Sequence, residues 1–115
     1  LKHDSSAYLL GWGVATFDAL YTLQSLVRTK TTGADGNFNL GRVSDLKLDN
    51  TIDAIKIATD PKARDALLKE ALEKARDEHY YVPLHHQLRP WAMKKGVSIV
   101  HSADDRPQAR FATVK

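Results

Sequence analysis

The sequence predicts an α/β chain of three helices plus several short strands of a mixed sheet, and three observations carry that expectation. Ala19, Leu20, Leu23, Leu26 and Val27 recur three and four apart, the spacing of a helix with one buried face. Asp60-Pro61 places a side-chain acceptor and then a first-turn proline at the start of a second long periodic run, which is how a helix is opened. From Tyr80 onward the pattern shortens to aromatic and branched residues, which favour strands.

Taken in order, Ala7–Leu10 reads as a short strand that ends in Gly11-Trp12-Gly13. Glycines on both sides of the tryptophan let the backbone turn sharply and leave the indole free to project. Residues Trp12 to Thr16 form a loop, and the first helix runs from about Phe17 to Arg28. Thr16 is its expected N-cap, with Asp18 in the first turn, where a carboxylate meets unpaired N–H groups. Thr29 to Asn39, with Gly33, Gly36 and Asn37, is a loop, its end pinned by Phe38 and Leu40.

Ser44 or Asp45 caps a second helix that buries Leu48, Ile52 and Ile55 and turns Asp49, Asp53 and Lys56 outward. The third helix extends from Pro61 to about His79, with Leu67, Leu68, Ala71, Leu72 and Ala75 as its apolar stripe. Asp65–Lys69 and Glu70–Lys74 are expected i,i+4 pairs, each worth only about 0.2–0.5 kcal/mol. Tyr80–His86 reads as an edge or terminal strand because Pro83 has no N–H for a ladder. Trp91–Met93, Val97–Val100 and Ala109–Val114 complete the strands, with a turn at Lys94-Lys95-Gly96 and a loop at Ala103–Pro107.

At 115 residues, 43% apolar and 27% charged, the chain has room for one modest core. Seventeen Lys and Arg face fourteen Asp and Glu for a net charge of +3, and both signs alternate along the chain. A phosphate-tracking basic stripe is absent from this pattern, so no nucleic-acid partner is expected. No run approaches the roughly 20 apolar residues of a membrane span. There is no cysteine, which removes disulfides and thiolate metal sites. The polar opening Leu1–Ser6, without an initiating Met, reads as a cut inside a larger protein.

Catalytic and metal chemistry find little support in the motifs. His85 and His86 are neighbours, and on a strand they face opposite ways, so the two rings do not share one metal easily. A zinc site using one of them with His79 or His101 and an aspartate is the weaker alternative to a surface role. Gly-x-Ser-x-Gly, His-Glu-x-x-His, a phosphate-binding glycine loop and a dinucleotide fingerprint are all missing. Neither a catalytic residue, a metal nor a cofactor is expected. Trp12 is more informative, because it sits where a strand gives way to a helix, a place where α/β proteins open ligand crevices. The residues alone leave it either a core side chain or a stacking surface for a ligand.

The order of signals, with a strand into Gly11-Trp12, a helix opened near Asp18, Ser44-Asp45, Asp60-Pro61-Lys62-Ala63-Arg64, Glu70-Ala71, Tyr81-Val82-Pro83-Leu84-His85 and Lys94-Lys95-Gly96-Val97, resembles the C-terminal portion of the periplasmic oligopeptide/dipeptide-binding family of ABC importers. The resemblance spans nearly all 115 residues. It implies a fragment of a two-lobe binding protein of the periplasm or extracytoplasmic membrane face, holding a peptide or small polar solute for ABC permease subunits without turning it over. Residues 1–88 would belong to the C-terminal lobe, and residues 89–115 would be terminal strands returning toward the first lobe.

The resemblance also implies ligand contacts: Trp12 for stacking, Gly13 and Val14 through the backbone, and Thr16 or Asp18 for a polar contact. Peptide-binding relatives pair the ligand's free amine with an aspartate at the position of Ala15. Asp18 matches a second acidic position usually followed by proline, here Ala19. This departure leaves open a modified peptide, another polar solute, or an amine held elsewhere. Two other readings compete: a small structural or protein-interaction domain, and a hydrolase using the paired histidines. A fragment would also expose apolar surface and self-associate.

Overall fold

The computed structural model describes residues 7–115, so the opening run Leu1–Ser6 lies outside the described residues. Among the described residues the chain is mixed α/β, with its α-helices in the first part and a two-stranded antiparallel sheet with a 3₁₀ turn in the second. Two compact units divide it, the first ending at Val82 and the second running from Pro83 to Lys115.

In the first unit, helix α1 (Ala19–Thr22) continues without a break as a π-helical stretch, Leu23–Val27. Its last bond is the π type: Arg28 N–H donates to the Leu23 carbonyl at 2.9 Å. The wider turn brings Leu23, Leu26 and Val27 into the core. The cap is Asp18 instead of the expected Thr16, with its carboxylate accepting from Leu20 N–H at 2.8 Å. The stretch 7–10 is not a strand, and the sheet of the second unit contains only its own two strands.

The following loop folds back over the end of this helix and satisfies its carbonyls. Gly36 N–H reaches the Gln24 carbonyl at 2.9 Å, and Phe38 N–H reaches that of Ser25 at 3.0 Å. Gly36 is buried with φ +64°, and a Cβ there would lie 2.5 Å from the Arg28 carbonyl oxygen. Only glycine tolerates both conditions. The buried Asn39 amide ties the loop shut, donating to the Arg28 and Val43 carbonyls at 3.1 and 2.7 Å while accepting from Val43 N–H at 2.9 Å.

Helix α2 (Leu46–Ile57) is capped by Asp45, which accepts from Leu48 N–H at 3.1 Å. It supplies Leu48, Ile52 and Ile55 to the core, as their spacing predicts. Asp49 departs from expectation: it is buried, not outward, because Thr29 N–H donates to it at 2.9 Å and Arg28 pairs with it at 3.0 Å.

Helix α3 (Pro61–Asp77) starts where Asp60 accepts from Ala63 N–H at 2.8 Å. Ala71 is fully buried, Leu67, Leu68 and Ala75 pack against the same core, and Leu72 remains exposed. Its lysines find other partners than the two expected pairs. Lys74 bonds Asp45 at 2.8 Å and Glu78 at 3.5 Å, and Lys69 lies 3.9 Å from Glu73. The tie from Lys74 to Asp45 joins α3 to the cap of α2, which periodicity within one helix cannot reveal.

The helix ends two residues short of His79 in a reversal that closes its carbonyls. Tyr80 N–H returns to Ala75 and His79 N–H to Arg76, the paired bonds of a Schellman motif. His79 occupies the left-handed position at φ +56°, where a Cβ is unfavourable.

In the second unit, β1 (Val97–Ile99) pairs with β2 (Ala112–Val114), with Val97 opposite Val114 and Ile99 opposite Ala112. The turn before β1 is closed by Val97 N–H to the Lys94 carbonyl at 3.0 Å, with Gly96 at φ +89°. The expected strands at Tyr80–His86 and Trp91–Met93 are irregular segments outside the sheet. Proline at 83 and 90 removes donors there, and a strand without a partner leaves its backbone to water. Ala109–Phe111, expected as strand, is a single 3₁₀ turn that delivers the chain to β2.

Replacing His79 with glycine should relieve the left-handed strain and stabilise the chain by about 1 kcal/mol. Urea unfolding checks this, and a variant no more stable than the parent would show that the His79 side chain contributes something that glycine cannot.

Candidate ligand-binding loop

The residues that the resemblance marks for ligand contact lie together in the segment from Gly11 to Asp18. A Cβ on Gly11 would meet nothing within 4 Å, so the chain leaves the preceding segment through open space. Trp12 is half-buried. Tyr21 stacks on its ring with centroids 5.4 Å apart at 20°, and Phe38 meets it at 5.3 Å and 63°. Its indole N–H donates to the Thr22 hydroxyl at 3.1 Å. The indole therefore fastens the loop to α1 and to the loop after it, and its one polar atom already has a partner.

Gly13 is exposed and Val14 half-buried. The Val14 carbonyl accepts from Phe17 N–H at 3.3 Å, which closes a turn around Ala15 and Thr16. Thr16 is exposed, and its hydroxyl accepts from Asp18 N–H at 3.3 Å. Both Asp18 oxygens are engaged: Oδ1 caps the helix, and Oδ2 meets the Arg64 guanidinium of α3 at 2.8 Å. An incoming ammonium would compete with both the Leu20 amide and a formal cation.

Phe17 is the residue that sequence reasoning passed over. It is 72% exposed and adopts φ +55°, a conformation that costs a bulky residue about 1–3 kcal/mol. An exposed aromatic gains no burial to offset that strain. Nothing in the sequence marks it, because a phenylalanine beside a helix reads as core and a backbone angle leaves no trace in composition.

The densest polar cluster lies elsewhere, around Arg28. Its guanidinium meets Asp49 at 3.0 Å, Asp53 at 2.8 Å and Asp35 at 3.8 Å, while Lys56 bonds Asp35 and Asp53 at 3.1 and 2.8 Å. Burial opposes the charge on Arg28, yet the Asp53 hydrogen bond and the three carboxylates raise its pKa. Burial likewise works against ionised Asp35, but bonds from Gln24 and Lys56 hold its carboxyl below the usual value, and the Lys56 bond lowers that of Asp53. Each of these carboxylates has a cation within reach, so the cluster is an internal clamp. Asp45 behaves similarly, its pKa lowered to about 2 chiefly by the Lys74 bond, helped by the Leu48 amide.

His85 and His86 are exposed in the irregular segment after Pro83. Among the described residues, no group of three or more His, Cys, Asp or Glu side chains is placed to hold one metal ion. No helix among them is long and apolar enough to cross a membrane. No protein-family model matches the chain, and neither the curated proteins nor the solved structures contain a match.

Two predictions follow from this geometry. Trp12→Ala should lower stability by about 2–3 kcal/mol, since it removes a packed indole and strands the Thr22 hydroxyl, whereas Phe17→Gly should raise it by about 1 kcal/mol. Thermal unfolding of both variants checks the contrast, and equal effects would contradict the packing described. Carboxylates with depressed pKa values contribute stability above their unfolded pKa, near 3.9, and lose it as pH falls through the folded value. The unfolding midpoint should therefore drop between about pH 4 and pH 2, and Asp45→Asn should flatten that drop. An unchanged acid profile in the variant would remove Asp45 from the explanation.

Proposed function

We propose that this chain is part of a two-lobe extracytoplasmic solute-binding protein, holding a peptide or related polar solute for delivery to an ABC importer without chemical turnover. The observation that carries this reading is the imbalance of apolar surface. Seven apolar residues make up the buried core, while Leu9, Phe17, Leu46, Ile57, Leu88 and Val114 are each at least 72% exposed. A chain that leaves so much large apolar surface in water is suited to being covered by further protein. The order of motifs, which resembles that of the oligopeptide/dipeptide-binding family, is the ground for reading the larger protein as a solute-binding one.

In this reading the loop from Gly11 to Asp18 forms part of a cleft wall. Trp12 braces the wall from behind, and exposed Phe17 offers a face for a ligand to pack on. The carboxylate available to a ligand amine in relatives is replaced by Ala15, and Asp18 is held by Arg64 and the Leu20 amide. A buried ammonium needs a partner, and this loop provides none unengaged. The preferred solute is accordingly one whose recognition does not depend on a free amino terminus. Closure of two lobes around the solute is the functional event, because it hides the ligand and changes the face shown to the permease.

Calorimetric titration of the parent protein with matched free and N-acetylated di- to pentapeptides tests the proposal, with sugars and metal complexes as further ligands. Acetylated peptides should bind at least as well as free ones, and Phe17→Ala should weaken binding about tenfold, equivalent to about 1.4 kcal/mol. Failure of every ligand to bind, or a variant of unchanged affinity for whichever does bind, would overturn it.

A further inference from the structure

The second unit has a character that the whole-chain charge conceals. Residues 83–115 carry six Lys or Arg against two Asp and no Glu, whereas residues 1–82 carry eleven against twelve. The net positive charge is thus concentrated in the shorter unit. Within it lies a groove of about 400 Å³ lined by Arg89, Trp91, Met93, Val97, Ile99 and Pro107. The cations Lys94, Lys95 and Arg106 are exposed at neighbouring positions in the sequence.

The groove contains one carboxylate, and it is neutralised from inside. Asp105 accepts from the Trp91 indole at 2.6 Å and from Arg89 at 2.9 Å, with the His101 ring nitrogen at 3.4 Å. The His101 ring also packs on Trp91 with centroids 4.3 Å apart. These contacts hold Trp91 in place as an apolar wall; of the nearby charges in sequence, Arg106 has Asp104 beside it, its N–H donating to the Asp104 carboxylate at 3.2 Å, while Lys94 and Lys95 keep the unit's surplus positive.

Beside the groove, β1 has an open edge, since the sheet is only two strands wide. Lys115 N–H bonds the Gly96 carbonyl at 2.8 Å, which makes Val97–Val114 a non-hydrogen-bonded pair and Ser98–Thr113 the hydrogen-bonded one. Val97 and Ile99 therefore direct their main-chain groups away from β2. The Val97 N–H is taken by the turn, which leaves the Val97 carbonyl and both polar groups of Ile99 along the edge. The side chains of the same two residues line the groove.

The geometry points to an extended peptide segment of a partner protein, acidic and apolar in alternation, as the occupant of this edge and groove. Main-chain bonds to Val97 and Ile99 would supply register, and alternate side chains would enter the groove. Acidic residues of the segment would be favoured by the positive charge that Lys94, Lys95 and Arg106 contribute to this unit. Nucleic acid fits less well, because Trp91 is already packed on His101 instead of being free to stack on a base. A lipid surface fits less well because these apolar groups line a concavity and do not project. This inference does not rest on the solute-binding reading.

Fluorescence anisotropy with the full chain and a dye-labelled octapeptide alternating Glu and Val tests it. That peptide should bind at least about tenfold tighter than its Lys-Val or Glu-Ser counterparts, and added salt should weaken it. Methylating the peptide's backbone nitrogens should abolish binding. Met93→Glu and the double change Lys94→Glu/Lys95→Glu alter exposed positions, so the circular dichroism should be unchanged while affinity falls about tenfold in each. No detectable binding, equal binding of the lysine peptide, indifference to N-methylation, or tighter binding to oligothymidylate or phosphatidylglycerol vesicles would each overturn the proposal.

Discussion

Arg28 stands where the first helix ends, the long loop begins and α2 passes alongside. Its guanidinium reaches carboxylates from the loop, at Asp35, and from α2, at Asp49 and Asp53. Its backbone N–H closes the π turn, and its carbonyl accepts from Asn39. One residue thus joins three segments through both backbone and side chain. Removing one partner from a buried ion pair typically costs about 3–5 kcal/mol, because the remaining charge is left without compensation. The core beneath is small, seven apolar residues, so the unit depends on this polar closure more than a larger domain would.

That dependence explains why some helices were legible in the sequence and others were not. Asp60-Pro61 and Asp45 each contain their own instruction: a short-chain acceptor, then residues that can start a helix, with the bonds made within a few positions. The apolar faces of α2 and α3 follow from spacing alone. Asp49 was misjudged because its position on α2 says nothing about Arg28 and Thr29, twenty or so residues earlier. Asp18 displaced Thr16 as the cap for a similar reason, since the second Asp18 oxygen is held by Arg64 from α3. Local pattern identifies a surface that must be covered; long-range pairing decides which polar residue covers it.

The strands show the opposite failure. Aromatic and branched residues from Tyr80 onward have the local preference for extended backbone, yet most of that stretch forms no strand. A strand also requires a neighbour offering complementary main-chain groups, and among the described residues only Val97–Ile99 and Ala112–Val114 find each other. The turn at Gly96 accounts for one side of that success, because its positive φ reverses the chain at the start of β1. Ala109–Phe111 lies just before the paired residues and closes into a 3₁₀ turn instead. Propensity describes the shape of a segment, and pairing is a property of two.

The loop from Gly11 to Asp18 shows how the same limit applies to a candidate site. Sequence drew attention to this segment, since two glycines around a tryptophan ahead of a helix are uncommon enough to notice. Which aromatic packs and which projects was decided by contacts outside the segment. Tyr21, Thr22 and Phe38 hold the indole, and the Val14–Phe17 turn then carries the next aromatic outward in a left-handed conformation. Strain of this kind persists where the surroundings over-determine the backbone, and it gathers where ligands are clamped. A packed tryptophan and an exposed phenylalanine thus share one loop, the first tied down by three side chains and the second left in solvent. Under the proposed solute-binding reading, a loop held in this way would lose little freedom on binding, and a low ordering cost raises affinity without any additional contact.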